Sequence, residues 1–212
     1  MSCAAFIPWS RIARAIPACC DELGHWVGTE KALQALHEKA LALGLPATAC
    51  RRIEAQARSS AQDYAAAATL WRQVLSDPDA TAEDALSAIF CLIESKQPAP
   101  AFRIALEGLQ RFAATESYQN DSAWYFLNAS LPQEALAILT HPFTLHSEKE
   151  QQRQLWYHIA AAEMAGESAQ ADALFQPLRK QNPDVSFDEQ IRSFSLPDSV
   201  KDALLKVAKR HP

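Results

Sequence analysis

The sequence predicts an all-α protein, a right-handed α-solenoid of antiparallel helical hairpins with helical caps at both ends. Three observations predict this fold class. The composition favours helix over strand, small residues recur about every 34 positions, and prolines and capping residues divide the chain into segments of helix length.

The composition is that of a folded helical protein. Of the 212 residues, 49% are hydrophobic and 21% are charged, which separates the chain from disordered proteins. Glycine is scarce, with 5 residues, whereas Ala, Leu, Gln and Glu recur throughout. These residue types lose little conformational entropy on entering a helix, so the bulk of the chain is predicted to be helical.

An internal repeat is visible at alanines 34, 34 and 36 residues apart, each followed four positions later by a second residue on the same helix face. A helix that packs closely on its hairpin partner needs a small residue where the axes approach and, in general, a bulkier one a turn later. The pairs are Ala67 with Trp71, Ala101 with Ala105, Ala135 with Leu139, and Ala171 with Phe175.

Helix starts are marked by prolines and capping residues. Pro98 and Pro132 are 34 residues apart and predict the first residues of two second helices, where a missing N–H costs nothing. Three pairs resemble capping boxes, and the two glutamate cases fit that motif best. The pairs are Thr81 with Asp84, Ser147 with Glu150, and Ser186 with Glu189.

Proline-containing breaks at 77–79, 96–98, 141–142 and 182–183 complete the division into elements. We expect an N-terminal helical arm or cap over 1–28, a repeat array over 29–183 and capping helices over 184–212. The predicted helices are 9–26, 29–43, 47–60, 62–76, 81–95, 99–113, 119–129, 132–140, 147–165, 168–181, 186–194 and 198–209.

The stretch Leu155–Pro183 resembles one tetratricopeptide repeat. Gly166 stands in the turn between its helices, Ala171 and Phe175 fall on the second helix, and Pro183 closes the unit at the family's spacing. The earlier repeats match less well, because they lack the turn glycine. Gln62, Lys96 and Ser130 stand at that position.

The tail carries a second likeness. Residues 178–186, followed by Phe194 and a helix led by Pro197, resemble the end of bacterial tetratricopeptide arrays attached to nucleotide cyclases or transcription regulators. That resemblance implies a capping role for the tail, which a solenoid end needs in any case.

The resemblance to tetratricopeptide repeats also implies a concave groove lined by the first helix of each hairpin. Aromatic anchors ringed by polar groups are typical of surfaces that hold peptides. Filling of the interior between repeats by Trp124 and Trp156 is an equally open interpretation. The implied groove positions are Arg52, Gln56, Leu86, Phe90, Ile93, Asn120, Trp124, Leu127, Arg153 and Trp156.

The net charge and the apolar runs of the sequence limit the kinds of partner and the location that we expect for the protein. The net charge is −5 and no basic cluster could track a phosphate backbone, so we expect no nucleic-acid partner. No apolar run approaches membrane-spanning length, and the apolar stretch 3–9 is followed rather than preceded by Arg11 and Arg14. We therefore expect a cytoplasmic protein, with export through the lipoprotein-like box at 16–19 as the alternative.

Reactive residues form no catalytic pattern. The five cysteines have no disulfide or zinc spacing, and Cys19–Cys20 adjoin acidic residues that disfavour a thiolate. His141, His146 and Glu148 flank a proline-broken loop, where no helix fixes their spacing for a metal. We expect no enzyme, no metal and no cofactor.

These observations predict a non-catalytic interaction module that holds another protein or a peptide segment in its groove, as an adaptor, a scaffold or a chaperone. The alternative is a regulatory protein that senses a small molecule inside the superhelix.

Overall fold

The computed structural model describes residue 39 and residues 42–211, and in that part all regular secondary structure is helical. The helices begin and end close to the predicted positions, and the described residues contain no strand. The helices are α1 (Ala47–Ser60), α2 (Tyr64–Leu75), α3 (Ala82–Glu94), α4 (Pro98–Arg111), α5 (Tyr118–Asn128), α6 (Pro132–Thr140), α7 (Glu148–Met164), α8 (Ser168–Gln181), α9 (Phe187–Ser193) and α10 (Asp198–Arg210).

Helices that follow one another in the chain pack as hairpins, and the hairpins stack. The pairs are α1 with α2, α3 with α4, α5 with α6, and α7 with α8. First helices also contact the next first helix, α3 on α5 and α5 on α7, while α10 closes over α7, α8 and α9. This nearest-neighbour order is that of an α-solenoid, as predicted; the right-handed twist stays a prediction.

The repeated alanines occupy equivalent environments. Ala67, Ala101, Ala135 and Ala171 each lie on a second helix with no exposed surface. The residues four positions later are buried as well, including Trp71 and Phe175. The period of small residues therefore marks real positions of close helix packing.

Each hairpin turn uses the same backbone device. Gln62, Lys96, Ser130 and Gly166 have φ values of 62°, 64°, 58° and 86°, all in the left-handed region. Each of these residues lies just after a first helix. Its N–H and the N–H of the next residue donate hydrogen bonds to carbonyl oxygens at the end of that helix. In the second hairpin, Lys96 N–H bonds to Ile93 O at 2.9 Å and Gln97 N–H to Leu92 O at 2.8 Å, as in a Schellman motif.

Two helix starts confirm the proline prediction, since Pro98 and Pro132 are the first residues of α4 and α6. The capping boxes differ from expectation. Thr81 and Asp84 form a complete box at α3, although the glutamate cases were predicted to fit best.

At α7 the Ser147 hydroxyl accepts from Glu150 N–H, but Ser147 N–H donates to the Glu116 carboxylate instead of Glu150. Ser186 makes no side-chain cap at α9. The capping-box prediction was therefore wrong at both helices. At α7 the Glu116 carboxylate takes the role predicted for Glu150, and at α9 no side chain caps the helix start.

The arm over 1–28, the helix over 9–26 and most of the helix over 29–43 lie outside the described residues. Within the described part, no helix combines the length and apolar character that crossing a bilayer requires.

Candidate partner-binding surface

The ten predicted groove positions fall into two groups. Leu86, Phe90, Trp124 and Arg153 are partly exposed and Gln56 is exposed. The other five are buried, so their side chains position the helices or fill the interior. The buried positions are Arg52, Ile93, Asn120, Leu127 and Trp156.

Arg52 is held by an ion pair between hairpins. Its guanidinium contacts the Asp84 carboxylate at 2.8 Å and donates to the backbone oxygen of Asp79 at 2.8 Å. Because 9% of the Arg52 surface is exposed, its side chain serves to join α1 to α3.

Asn120 has a similar joining role one hairpin later. Its side-chain amide donates to the backbone oxygen of Glu150 at 2.9 Å and to the Glu150 carboxylate at 2.8 Å. These bonds connect α5 to the first turn of α7.

Trp156 lies within a cluster of rings. Phe175, Phe187 and Phe194 surround it, with ring centroids 6.3, 6.1 and 5.3 Å away. Because 4% of Trp156 is exposed, it fills the junction between α7, α8 and α9, as the interior interpretation had it. Trp124 differs: it is partly exposed and stacks on Tyr157, with centroids 6.2 Å apart.

Three partly exposed rings lie in a row across α2, α3 and α5. Tyr64 at the start of α2 meets Phe90 of α3 edge-on at 5.5 Å, and Phe90 meets Tyr125 of α5 at 5.9 Å. We call Tyr64, Phe90 and Tyr125 the aromatic row. Sequence reasoning named Phe90 and missed the other two, although the spacing of 35 residues between Phe90 and Tyr125 is close to the repeat length.

Charges lie next to the aromatic row. Asp121 is one turn before Tyr125 on α5 and forms an ion pair with Arg153 of α7. The Arg153 guanidinium also covers the Tyr157 ring, 5.3 Å from its centroid. Burial, together with the Asp121 charge, raises the pKa of Tyr125.

The described histidines and cysteines lie on several different elements, and His211 Nε2 lies 3.0 Å from the Asp172 carboxylate. His141 and His146 lie in the loop between α6 and α7, and burial lowers the pKa of His158 on α7. Cys50 and Cys91 are buried free thiols, and burial raises the pKa of Cys91. In the same residues, no three His, Cys, Asp or Glu side chains come together as a metal site.

The surface presents rings, a paired arginine and an aspartate on neighbouring helices. Such groups can cover apolar side chains of another molecule and hydrogen-bond its backbone. The chain matches no protein-family model, no curated protein and no solved structure.

Proposed function

We propose that the protein is a non-catalytic interaction module, an adaptor, scaffold or chaperone, that holds a segment of a partner polypeptide against the aromatic row. The observation that carries the proposal is the continuity of that row. Three partly exposed rings contact one another across α2, α3 and α5, so one bound segment could touch three hairpins at once.

The physical basis is the cost of binding. Aromatic side chains bury much area while losing little rotamer entropy, and rings fixed by neighbours lose still less. Leu86 lies one turn before Phe90 on the same helix and extends the apolar surface. The Asp121–Arg153 pair next to the row would supply a polar rim that fixes the direction of the bound segment.

Membership of the tetratricopeptide-like hairpin proteins is part of the proposal. It is supported by left-handed turn residues at 62, 96, 130 and 166 and by fully buried alanines five positions later in each hairpin. A capping role for the tail is supported by α10, which packs on α7 and α8. Protein binding is the common use of such arrays, and here it rests on that resemblance and on the aromatic row.

Site-specific photo-crosslinking tests the proposal. A photoreactive phenylalanine analogue replaces Phe90 or Tyr125 in the full chain, and Lys180, an exposed residue of α8, gives the matched control. After irradiation in the producing cells, we expect the same discrete adduct from positions 90 and 125 and none from position 180.

Equal adducts from all three positions, or none from 90 and 125, would contradict the proposal. Circular dichroism of each variant confirms that it is folded. A metabolite that raises the melting temperature by several degrees, without any protein adduct, would instead favour a small-molecule sensor, because ligand binding to the folded state stabilises it.

A further inference from the structure

A second cleft lies away from the aromatic row, between the second helices of the first two hairpins. It has a volume of about 340 Å³ and is formed by the C-terminal part of α2 and by α4. Leu75, Ile104 and Phe112 contribute apolar surface to its lining. A cleft of this size lies at the lower end of the range that binds ligands specifically.

The charge of this cleft is opposite to that of the whole protein. Arg72, Arg103 and Arg111 line it, against one carboxylate, Glu107. The chain as a whole has a net charge of −5, so this cleft reverses the prevailing sign locally. A local concentration of positive charge attracts anionic groups and disfavours cationic ones.

The three arginines are not equally engaged. Arg111 donates to the backbone oxygens of Leu75 and Asp77, both at 2.6 Å, which fixes its guanidinium over the end of α2. The side chains of Arg72 and Arg103 are exposed and have no hydrogen bond or ion pair with any residue that the structure describes. As far as the described residues go, two guanidinium groups are therefore available to bind a carboxylate in the planar, two-point manner that suits them.

We propose that this cleft binds an acidic peptide segment in which a leucine-like side chain neighbours carboxylates. Arg72 and Arg103 would pair with the carboxylates while the apolar side chain covers Leu75 and Ile104. A free inorganic anion would satisfy the arginines but leave the apolar surface in water. The combination of both surfaces favours a peptide over a small ion.

This site is separate from the aromatic row, since its α2 residues lie at the C-terminal end of that helix, whereas the row uses Tyr64 at the start of α2 together with α3 and α5. Each proposal can therefore fail while the other stands. The interaction would add a second point of attachment for one partner or recruit another.

Fluorescence anisotropy with defined probes tests the proposal. The probe is an end-capped, fluorescein-labelled pentapeptide of alternating glutamate and leucine, and its control carries glutamine in place of glutamate. We expect the acidic probe to bind wild type at least about tenfold more tightly than the glutamine probe, a difference of ~1.4 kcal/mol. Arg72→Gln/Arg103→Gln should remove that preference.

The matched control is Lys149→Gln/Lys180→Gln, which changes the net charge equally at exposed positions outside the cleft. We expect this variant to bind the acidic probe within about twofold of wild type, because long-range charge effects are screened. Equal weakening in both double variants would overturn the proposal.

Amide chemical-shift mapping locates the probe. Perturbations concentrated at the C-terminal end of α2 and in α4 support the proposal, and perturbations confined to α3, α5 and the first turn of α2 overturn it. Inorganic phosphate is the third probe. If phosphate displaced the peptide with an affinity equal to that of the peptide itself, the proposal of peptide binding would be overturned and the cleft would be a small-anion site instead.

Discussion

The Arg52 guanidinium and the Asp84 carboxylate form a buried two-point ion pair that joins α1 to the first turn of α3. Arg52 Nε and Nη2 lie 3.0 and 2.8 Å from the two carboxylate oxygens. The same carboxylate accepts Thr81 N–H at 2.8 Å, so it closes the capping box of α3 as well. One aspartate thus begins a helix and attaches it to the preceding hairpin.

We expect Arg52→Met to lower the free energy of unfolding by about 3 kcal/mol, because it leaves the buried Asp84 carboxylate without its counter-charge. Urea denaturation at pH 7 measures the change. The control is Arg58→Met, whose partners Glu54 and Asp63 are more exposed. That change should cost less than about 1 kcal/mol, and equal losses in the two variants would contradict the role given to Arg52.

Lys96→Gly should stabilise the protein by about 0.5–1 kcal/mol. A non-glycine residue with φ of 64° carries a steric cost of roughly 1–2 kcal/mol, from which the greater unfolded-state freedom of glycine must be subtracted. Lys96→Ala is the control, since it removes the side chain but keeps the strain. A rise in the thermal midpoint for alanine as large as that for glycine would refute this explanation.

Gly108→Ala should destabilise the protein by about 2 kcal/mol, although alanine usually improves a helix. A Cβ at position 108 would overlap the fully buried Tyr118 ring, whose hydroxyl bonds to Ile104 O at 3.3 Å. Combining Gly108→Ala with Tyr118→Leu should recover part of that loss, giving a double-mutant cycle with clear coupling. Additive losses would show that the two side chains do not compete for one space.

Glu163 should make stability depend on acid pH. Hydrogen bonds from Arg210, the main cause, and from Lys206 lower the pKa of this buried carboxyl to about 2. Its folded pKa is below the unfolded value of about 4.3, so its contribution is complete above that value and is lost as pH falls toward 2.

We therefore expect Glu163→Gln to cost about 1–3 kcal/mol at pH 7 and progressively less between pH 4.5 and 2.5. Urea denaturation across this range measures both effects. Glu167→Gln, an exposed change of the same charge, is the control. A Glu163→Gln penalty that does not shrink with acidification would be inconsistent with this linkage.

The fold could be predicted because its signals are local. The spacing of Ala67, Ala101, Ala135 and Ala171 reflects a contact that every hairpin repeats, and Pro98 and Pro132 mark helix starts through their own backbone chemistry. Such features depend on residues within one or two turns. The helix boundaries followed from them to within one or two positions over the described residues.

The surface was predicted less fully, because exposure depends on which faces the neighbouring hairpins cover. Arg52, Asn120 and Trp156 share a helix face with accessible residues, yet partners 19 or more positions away bury them. A local sequence pattern also could not predict that the Glu116 carboxylate accepts a hydrogen bond from the Ser147 N–H at the start of α7. Tyr64 is not among the predicted groove positions because it begins a second helix, whereas the resemblance implies groove positions on first helices alone.

The nearest-neighbour order of α1 to α10 has a mechanical consequence. Each hairpin closes through its own turn and is attached to the next by ties such as Arg52 with Asp84, so no distant strand must be threaded into place. A tensile force applied along the stack would be borne by these ties in series. The rod should therefore stretch as a spring before it ruptures, and refold hairpin by hairpin when the tension is released.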